Sequence, residues 1–390
     1  MDKLRGTTAI VGAFDTEVGK RPDATSTHLC LEAVKGAVED AGMKISDVEG
    51  LITCNSQVTP VTYHAELIAE ALGIEPKMCL SVSTGGGTTV ATVAHAAASI
   101  STGMCKNVVI VKGDNLATGF TKDQALASMA SVGHPQFEQP YGAPVPAFYA
   151  LIAQAHMHAY GTTSEQMARV AVSAHYHASL HPGAHKREVL TVDDVLSSKM
   201  IADPLHLYDC SLVSDGGAAL VMTSADAAKD RPKKPIYLLG FGEGHRNEHI
   251  SQARSFTESG AVESGESAFK MSKMTPEDVD VASLYDCFTP VVLIELEDLG
   301  FCPKGESGPF VEDGSIDLGG KIPVNTHGGL LSHCHPGNPG SMFHVTELVK
   351  QLRNECGERQ VKGASVGLAH LQGGILSSHG TLLLGGEETI

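Results

Sequence analysis

The most informative segment of the chain lies near its C-terminus and reads Asn325-Thr326-His327-Gly328-Gly329-Leu330-Leu331-Ser332-His333-Cys334-His335-Pro336. Its paired glycines permit tight turns and close backbone contact. A histidine in such a loop titrates near neutrality and suits proton transfer. The segment therefore predicts a loop whose histidines are candidates for a general acid or base, or for a purely structural role.

Outside this segment, apolar stretches of strand length alternate with stretches of helical periodicity. The predicted strands are residues 7–12, 50–54, 78–83, 107–112, 218–223, 236–240, 281–284, 364–368 and 381–384. The predicted helices are residues 28–41, 63–72, 88–101, 291–299 and 341–353. This alternation predicts an α/β fold with a largely parallel sheet, and the second half repeats an order similar to that of the first.

One region interrupts the alternation. Residues from about 115 to 200 are rich in His, Met and Ala and contain loop signals at Pro135, Pro140 and Pro182. We therefore predict an N-terminal half of residues 1–235 with an inserted loop domain at about 115–200, followed by a C-terminal half of residues 236–390.

The composition restricts the class of function. The 390 residues carry a formal net charge of −17, which disfavours nucleic acid and anionic membrane surfaces as partners. No apolar run is long enough to span a bilayer. The nine cysteines lack CxxC spacing. In the His-rich stretch from His156 to His185, His156 and His158 are two residues apart, as are His175 and His177, and such pairs do not share a helix face. We therefore expect no metal site and a reducing, cytoplasmic location.

Further motifs occur in a fixed order along the chain. They are Ile201-Ala202-Asp203-Pro204-Leu205, Ser214-Asp215-Gly216-Gly217-Ala218, Leu284-Tyr285-Asp286-Cys287-Phe288, the segment quoted above, and residues 348–353 with 359–361. In this order they resemble the motifs of the thiolase superfamily, in particular those of sterol-carrier-protein-x and lipid-transfer-type thiolase-like proteins. The resemblance covers essentially the whole chain.

The resemblance implies a thiolase fold, five-layered αβαβα, built from two similar halves with an inserted loop domain. It also implies a tight dimer and a CoA-thioester substrate whose acyl end enters a buried site where loops of both halves converge. Coenzyme A is then a substrate, and no covalently bound cofactor is expected.

The resemblance also assigns candidate catalytic residues. His335 matches the thiolase histidine that deprotonates a thiol or stabilises an enolate. Tyr285 replaces the histidine of the family motif, where a phenol can donate to a thioester oxygen or simply pack. Cys287 is either a relocated nucleophile or a buried inert thiol, and Cys334 has the same two interpretations. His370 resembles the histidine of a C-terminal His-Asn-x-Gly segment, although Leu371 stands in place of the Asn.

The sequence departs from the family at the nucleophile. Thiolases carry a reactive Cys at the start of a buried Ala-rich helix, where the helix N-terminus stabilises a thiolate. In the family this Cys lies about 17 residues before the glycine that ends the helix. Here that glycine is Gly103, so the matching position is Gly86, and the nearest hydroxyls are those of Ser83 and Thr84. Gly85, Gly86 and Gly87 permit a tight turn and can offer backbone N–H groups as an oxyanion hole.

The same role, oxyanion stabilisation or CoA binding, is predicted for three residues of the C-terminal segment. They are Asn325, Gly328 and Gly329, which occupy the Asn and Gly-Gly positions of the thiolase pattern.

Three functions fit these observations. The preferred one is acyl transfer between a β-ketoacyl-CoA and CoA, because His335 is retained. The second is retro-aldol cleavage of a β-hydroxyacyl-CoA, which requires no protein nucleophile, although family members that cleave steroid side chains tend to carry Tyr in place of His335. The third is a non-catalytic acyl-CoA-binding subunit, since relatives with a Tyr-Asp-Cys-Phe-Thr-Pro motif often pair with a small zinc-ribbon/OB-fold protein.

Overall fold

A computed structural model describes residues 2–390 of the chain. The strands are β1 (Thr8–Asp15), β2 (Gly50–Thr53), β3 (Met78–Ser81), β4 (Asn107–Asn115), β5 (Met200–Ala202), β6 (Leu205–His206), β7 (Asp215–Ser224), β8 (Ile236–His245), β9 (Val281–Leu284), β10 (Val366–Gly373) and β11 (Ser378–Gly385). Nine of them form one sheet in the order β3-β2-β4-β7-β1-β8-β11-β10-β9, and β5 pairs with β6.

The α-helices are α1 (Ser26–Asp40), α2 (His64–Leu72), α3 (Thr88–Ser101), α4 (Leu116–Gly119), α5 (Lys122–Ala130), α6 (Val145–Tyr160), α7 (Ser164–Ser179), α8 (Val192–Ser197), α9 (Ala225–Ala228), α10 (Ala261–Ser272), α11 (Thr289–Asp298), α12 (Ser307–Glu312) and α13 (Gly340–Leu352). The predicted helices and strands are all present, with ends that shift by a few residues.

The expectation of a largely parallel sheet is wrong. Strand β2 is parallel to β3 and β4, and β9 is parallel to β10, whereas β7 is antiparallel to β4 and β1, and β11 is antiparallel to β8 and β10. The reason is topological. Helical crossovers return the chain in the same direction, but the long excursion before β7 and the short turn between β10 and β11 reverse it.

The two ends of the sheet form two similar units that meet at β1 and β8. These strands pair only at Ala9 with Tyr237 and at Ile10 with Ile236. Helix α1 covers the outer face of the first unit and α10 the outer face of the second, while α3 and α13 lie between the units and contact strands of both. Almost every residue of α3 and α13 is buried, as expected for helices enclosed on all sides. The layers are those of the thiolase fold.

The chain leaves the sheet after β4 and returns at β7. Helices α4 to α8 and the small β5–β6 ribbon occupy the intervening residues. The division into halves at residue 235 stays a prediction. In residues 2–390 we find no helix with the length and apolarity that a membrane crossing requires.

Glycines on the first strand of each unit allow the outer helix to pack directly on the sheet. A Cβ atom on Gly12 of β1 would lie 2.1 Å from the carbonyl oxygen of Ala37 in α1, and one on Gly240 of β8 would lie 2.3 Å from that of Ala268 in α10. Because backbone atoms cannot move aside cheaply, a methyl group at either position forces the helix away from the sheet.

We therefore expect Gly240→Ala to lower the free energy of unfolding by about 2–4 kcal/mol, because the added methyl group overpacks the contact between β8 and α10. Urea denaturation followed by circular dichroism measures the change. Gly183→Ala is the control, since its Cβ would meet only the end of the His181 side chain at 3.2 Å. Equal stability of the two variants would contradict the close packing.

Candidate active site

A cavity of about 390 Å³ lies where loops of the two units converge. Its wall is formed by the turn before α3, the residues after β9, the loop at residues 335–338 that precedes α13, the turn after β10, and parts of α4, α5 and α6. The wall is mostly apolar, and its lining side chains include Leu116, Phe120, Met129, Val145, Leu212, Val213, Phe288 and Ile375. Such a cavity suits an acyl group, with a few polar groups to orient it.

His335 is the titratable centre of the cavity. Its Nδ1 lies 2.9 Å from the hydroxyl of Ser211, and its Nε2 lies 3.3 Å from the hydroxyl of Tyr285. Burial lowers the pKa of His335 to about 4. The imidazole is therefore unprotonated at neutral pH and can accept a proton, while the two hydroxyl groups fix the orientation of the ring.

Tyr285 occupies the space in front of the glycine turn. A Cβ atom on Gly86 would lie 2.0 Å from the carbonyl oxygen of Gln372 and 2.6 Å from Cε2 of Tyr285. No side chain fits there without displacing backbone. The position that the count assigns to the thiolase nucleophile is thus closed by Tyr285 and Gln372, and burial keeps the pKa of the Tyr285 phenol well above its usual value.

The glycine turn is pressed against the end of β10. Gly85 has a φ of +61°, and a Cβ atom on it would lie 2.5 Å from the Cα of Gly373. The contact holds the turn beside the cavity, which both Gly85 and Gly86 line. Because α3 begins at Thr88, the turn brings the N-terminal end of this helix towards the cavity, an arrangement that favours negative charge.

The two candidate thiols are not activated. Cys287 lines the cavity and accepts a hydrogen bond from Nε2 of Gln372 at 3.1 Å, but burial raises the pKa of its thiol. Cys334 is fully buried away from the cavity wall, and burial raises its pKa well above the usual value. A nucleophilic cysteine needs a lowered pKa, and neither environment supplies it.

The structure does not bring every predicted residue to the cavity. His370 lies behind the wall, where its Nδ1 is 2.8 Å from the hydroxyl of Thr381 and its Nε2 is 3.0 Å from Nδ1 of His379. Both imidazoles are buried. His370 and Gln372 project from the same face of β10, but Gln372 is nearer the end of the strand and lines the cavity, whereas His370 does not. A direct role of His370 in proton transfer therefore has no geometric support.

The Asn-Gly-Gly residues likewise lie off the cavity wall. The amide of Asn325 bonds both backbone groups of Leu284, each at 2.8 Å. Gly329 packs on Asp286, whose carboxylate accepts the N–H of Leu330 at 2.7 Å. These residues, with Gly328, hold the loop against the end of β9 and do not line the cavity, and their role in CoA binding or oxyanion stabilisation stays a prediction. Gly87 also stays off the wall, as the residue that precedes α3.

Sequence reasoning missed several polar residues of the cavity, among them Ser211, Gln372 and Tyr149. Ser211 orients His335, and Gln372 donates hydrogen bonds to Cys287 and to the hydroxyl of Tyr149, the latter at 2.9 Å. A signal existed for Gln372, which follows His370 by two residues in a motif that was singled out. Ser211 and Tyr149 belong to no motif.

One wall of the cavity is formed by α5, a helix that buries no residue in the hydrophobic core. Ala125, Ser128, Met129 and Val132 line the cavity from α5 and the residues after it, at the spacing of a single helix face. None of the residues of α5 is buried. The cavity is thus covered on this side by a helix that contributes little to the packed interior.

A cluster of uncharged histidines lies behind Tyr285. The rings of His327 and His344 are 5.0 Å apart, those of His327 and His333 are 5.1 Å apart, and His344 lies 6.0 Å from the Tyr285 ring. Burial lowers the pKa of His344 to about 3 and those of His327 and His333 well below 6.5. In the part of the chain that the structure describes, no three His, Cys, Asp or Glu side chains are placed to hold a metal ion.

Comparison with known proteins agrees with this architecture. The family model "Thiolase, N-terminal domain" matches residues 8–226, and "Thiolase C-terminal domain-like" matches residues 242–386. The chain is 34% identical to the acetyl-CoA acetyltransferase of Methanothermobacter thermautotrophicus, over 94% of this chain and 96% of that protein. It is 36% identical to the steroid side-chain-cleaving aldolase of Thermomonospora curvata, over 90% and 92% respectively.

A solved structure is similar over the whole chain. The Ltp2-ChsH2(DUF35) aldolase superposes with a TM-score of 0.86 at 34% sequence identity and covers 98% of this chain and 99% of that one. The chain therefore belongs to the thiolase superfamily. Sterol carrier protein 2 of Oryctolagus cuniculus is 33% identical over 58% of this chain and 42% of that protein. The chain is thus a thiolase-superfamily enzyme of CoA-thioester chemistry.

We expect acid to destabilise the fold, because buried histidines resist protonation. The folded pKa values of His335 and His344 lie below the value of 6.5 for an exposed histidine, so the unfolded chain binds more protons below pH 6.5. The free energy of unfolding keeps its full value above pH 6.5. Below pH 6.5 it falls by up to ~1.4 kcal/mol for each such histidine and each unit by which the pH is lowered. Five buried carboxyl groups with raised pKa values, those of Asp114, Asp209, Asp286, Glu295 and Asp298, oppose this trend. Eleven histidines have lowered pKa values and outnumber them, so the net effect of acid is destabilising.

Urea unfolding at several pH values between neutrality and the folded pKa of about 3 of His344 measures this slope. His344→Leu removes one titrating group and should flatten the curve, whereas His28→Gln, on the surface, should leave it unchanged. A wild-type slope of zero or of opposite sign in this range would refute the expectation.

Proposed function

We propose that the protein cleaves the Cα–Cβ bond of a β-hydroxyacyl-CoA by a retro-aldol reaction in this cavity. The observation that carries the proposal is the closed position at Gly86, where the carbonyl oxygen of Gln372 would lie 2.0 Å from any Cβ atom. A covalent acyl-enzyme has no place to form there, while a neutral imidazole and a phenol remain available. Retro-aldol cleavage needs a base and stabilisation of an enolate, and no protein nucleophile.

His335 is proposed as the base. Its unprotonated Nε2 faces the cavity beside the Tyr285 hydroxyl, and it accepts the proton of the substrate β-hydroxyl group. The Cα–Cβ bond then breaks. Its electron pair passes to the thioester as an enolate, and the β-carbon leaves as a ketone or aldehyde. The imidazolium returns the proton to Cα, so that atoms and charges balance without an external proton.

The enolate is proposed to be stabilised by Tyr285, which lies beside the imidazole, and by the start of α3. The Tyr285 phenol, which stays protonated because burial raises its pKa, donates to the thioester oxygen. The turn at Gly85 and Gly86 adds the positive end of α3. An imidazole with a pKa of about 4 is a weak base in the empty cavity, and an adjacent enolate raises its proton affinity during the reaction.

Acyl transfer between a β-ketoacyl-CoA and CoA is the second candidate, the one preferred on sequence grounds. It is favoured by the retained His335 and by a 34% identical relative named acetyl-CoA acetyltransferase. His335 would then take the proton of the CoA thiol, and the thiolate would attack the ketone carbon directly. The Cα–Cβ bond breaks, its electron pair passes to the thioester as an enolate, and the imidazolium returns the proton to Cα. Both candidates place CoA thioester in the same cavity, and the products distinguish them.

We propose three further properties on related grounds. A homodimer follows from the resemblance to thiolases. A small accessory subunit of DUF35 type is suggested by the Ltp2-ChsH2(DUF35) aldolase, 34% identical to this chain. A cytoplasmic location fits nine cysteines that are all unpaired, as expected in a reducing compartment.

The first test compares products. The protein, alone and with a DUF35-type partner, is incubated with a β-hydroxyacyl-CoA bearing a bulky apolar β-substituent, and separately with a β-ketoacyl-CoA plus CoA. Release of a ketone or aldehyde is expected, with kcat lowered by ~10²–10⁴-fold in His335→Gln and ~10-fold or more in Tyr285→Phe. Thiolysis without release of a carbonyl product would support acyl transfer instead, and inertness in both assays would support a binding subunit.

The second test concerns the thiol. Cys287→Ser is expected to retain kcat within a few-fold, because Cys287 does not act as a nucleophile and the serine hydroxyl can accept the hydrogen bond of Gln372. Gly86→Cys restores a thiol at the thiolase position, and we expect it to lose activity because the side chain overlaps Gln372 and Tyr285. Mass spectrometry of the protein after incubation with acyl-CoA checks both. An acylated cysteine in either protein would contradict the absence of a covalent intermediate.

A further inference from the structure

Lys112 is a lysine in the interior of the protein. It stands near the end of β4, and its side chain is fully buried. Its Nζ donates to the hydroxyl of Thr89 at 2.7 Å. Within residues 2–390, Lys112 forms no ion pair with a carboxylate, although a buried ammonium group usually has one because desolvation of an unpaired charge is costly. Neither the proposed reaction nor the packing of the strand explains this lysine.

The hydrogen bond of Lys112 begins a chain that leads to the cavity. The Thr89 hydroxyl lies 2.6 Å from the Ser341 hydroxyl, and the Ser341 hydroxyl donates to the carbonyl oxygen of Asn338 at 3.0 Å. Each oxygen thus accepts from the preceding group and donates to the next. Asn338 lines the cavity, so the chain connects a buried cation to the cavity wall.

This chain joins the two elements that carry the proposed chemistry. Thr89 belongs to the first turn of α3, directly after the glycine turn, and its N–H reaches the carbonyl oxygen of Gly86 at 3.5 Å. Ser341 belongs to the first turn of α13, where a Cβ atom on Gly340 would lie 2.9 Å from Cδ2 of His335. The spacing between the glycine turn and the imidazole therefore depends on the two hydroxyl groups that Lys112 orients.

The surroundings of Lys112 supply little negative charge. The Cys54 thiol, at the end of β2, is the titratable group whose proximity favours the ammonium form, and burial raises the pKa of that thiol to about 11. Asp114 lies two residues further along β4 and is engaged by the hydroxyl of Ser56 at 2.8 Å and the N–H of Gln57 at 2.6 Å. Burial lowers the pKa of Lys112 to about 7, so both forms of the amine exist near neutrality.

We propose that Lys112 is a positioning residue that holds the glycine turn and His335 at their working distance and, as an ammonium group, adds positive charge behind the starts of α3 and α13 that favours an enolate in the cavity. The inference rests on the proposed enolate chemistry. An ammonium group without a carboxylate partner in a low-dielectric interior stabilises negative charge that appears nearby, and the enolate is the charge that the reaction creates.

The experiment uses a readout that needs no turnover. Acetoacetyl-CoA, added without CoA, forms an enolate with its own near-ultraviolet absorption band, and an enzyme that stabilises this anion increases the band of the bound ligand. We expect wild type to show the increase at about pH 6, where Lys112 is protonated, and to lose it above its pKa of about 7. Lys112→Met, of similar length and uncharged, should reduce the increase by ~10-fold and abolish its pH dependence.

Three further variants separate positioning from folding. Lys233→Met removes a lysine that pairs with Glu355 at 3.0 Å far from the cavity and should behave as wild type. Thr89→Ser keeps the hydroxyl and should retain the band, whereas Thr89→Val removes it and should lose the band. This pair decides the question if Lys112→Met does not fold. Identical bands and pH profiles in Thr89→Ser and Thr89→Val, or in wild type and Lys112→Met, would overturn the proposal.

The outcome also separates this inference from the proposed cleavage reaction. If wild type shows the band and Lys112→Met loses it, but no β-hydroxyacyl-CoA is cleaved, the role of Lys112 stands and the retro-aldol assignment fails. If cleavage occurs in both proteins at equal rates with equal bands, the assignment stands and the role of Lys112 fails. Absence of the band in wild type overturns the role of Lys112 as well.

Discussion

Backbone-to-backbone contact between the turn at Gly85 and Gly86 and the end of β10 is the constraint on which the cavity depends. The carbonyl oxygen of Gln372 and the Cα of Gly373 lie where side chains of the turn would otherwise project. Because neither partner can move without bending a strand or a helix start, the contact fixes the distance between the two units at the cavity. It also leaves the Tyr285 ring beside the turn, in the cavity wall.

The polar groups of the cavity are all uncharged at neutral pH. Burial keeps the His335 imidazole deprotonated and the Tyr285 phenol and Cys287 thiol protonated. An apolar acyl group can therefore enter without separating ion pairs, and charge appears only when a bond breaks. Helix starts are fixed sources of positive potential that need no reorganisation when negative charge develops, and the protonated form of Lys112 is proposed to add to them.

Much of the fold was predictable, because apolar periodicity determines the type and order of elements. It carries no information on strand direction, so the antiparallel course of β7 and β11 was missed. His335, Tyr285 and Cys287 were found because reactive side chains within family-like motifs stand out. Ser211 was not, since a hydroxyl that orients an imidazole looks like any other serine.

Two features of the interior were beyond the sequence for one physical reason. His370 and Asn325 sit in family-like motifs, and their side chains form hydrogen bonds inside the protein with neighbours that only the tertiary structure brings together. Their roles in the reaction stay predictions. The strand that the sequence predicts ends at Lys112. The strand in fact continues to Asn115 beneath α3, and only the tertiary structure shows that the lysine is enclosed.

Helix α5 forms one side of the cavity but has no buried residue of its own. Substitutions on its inner face change the shape offered to the acyl group while leaving the free energy of the core almost untouched. Substitutions in this helix can therefore change the acyl specificity with little effect on the stability of the fold. Related chains that share the interior described above should diverge most in sequence and length between Lys122 and Ala130.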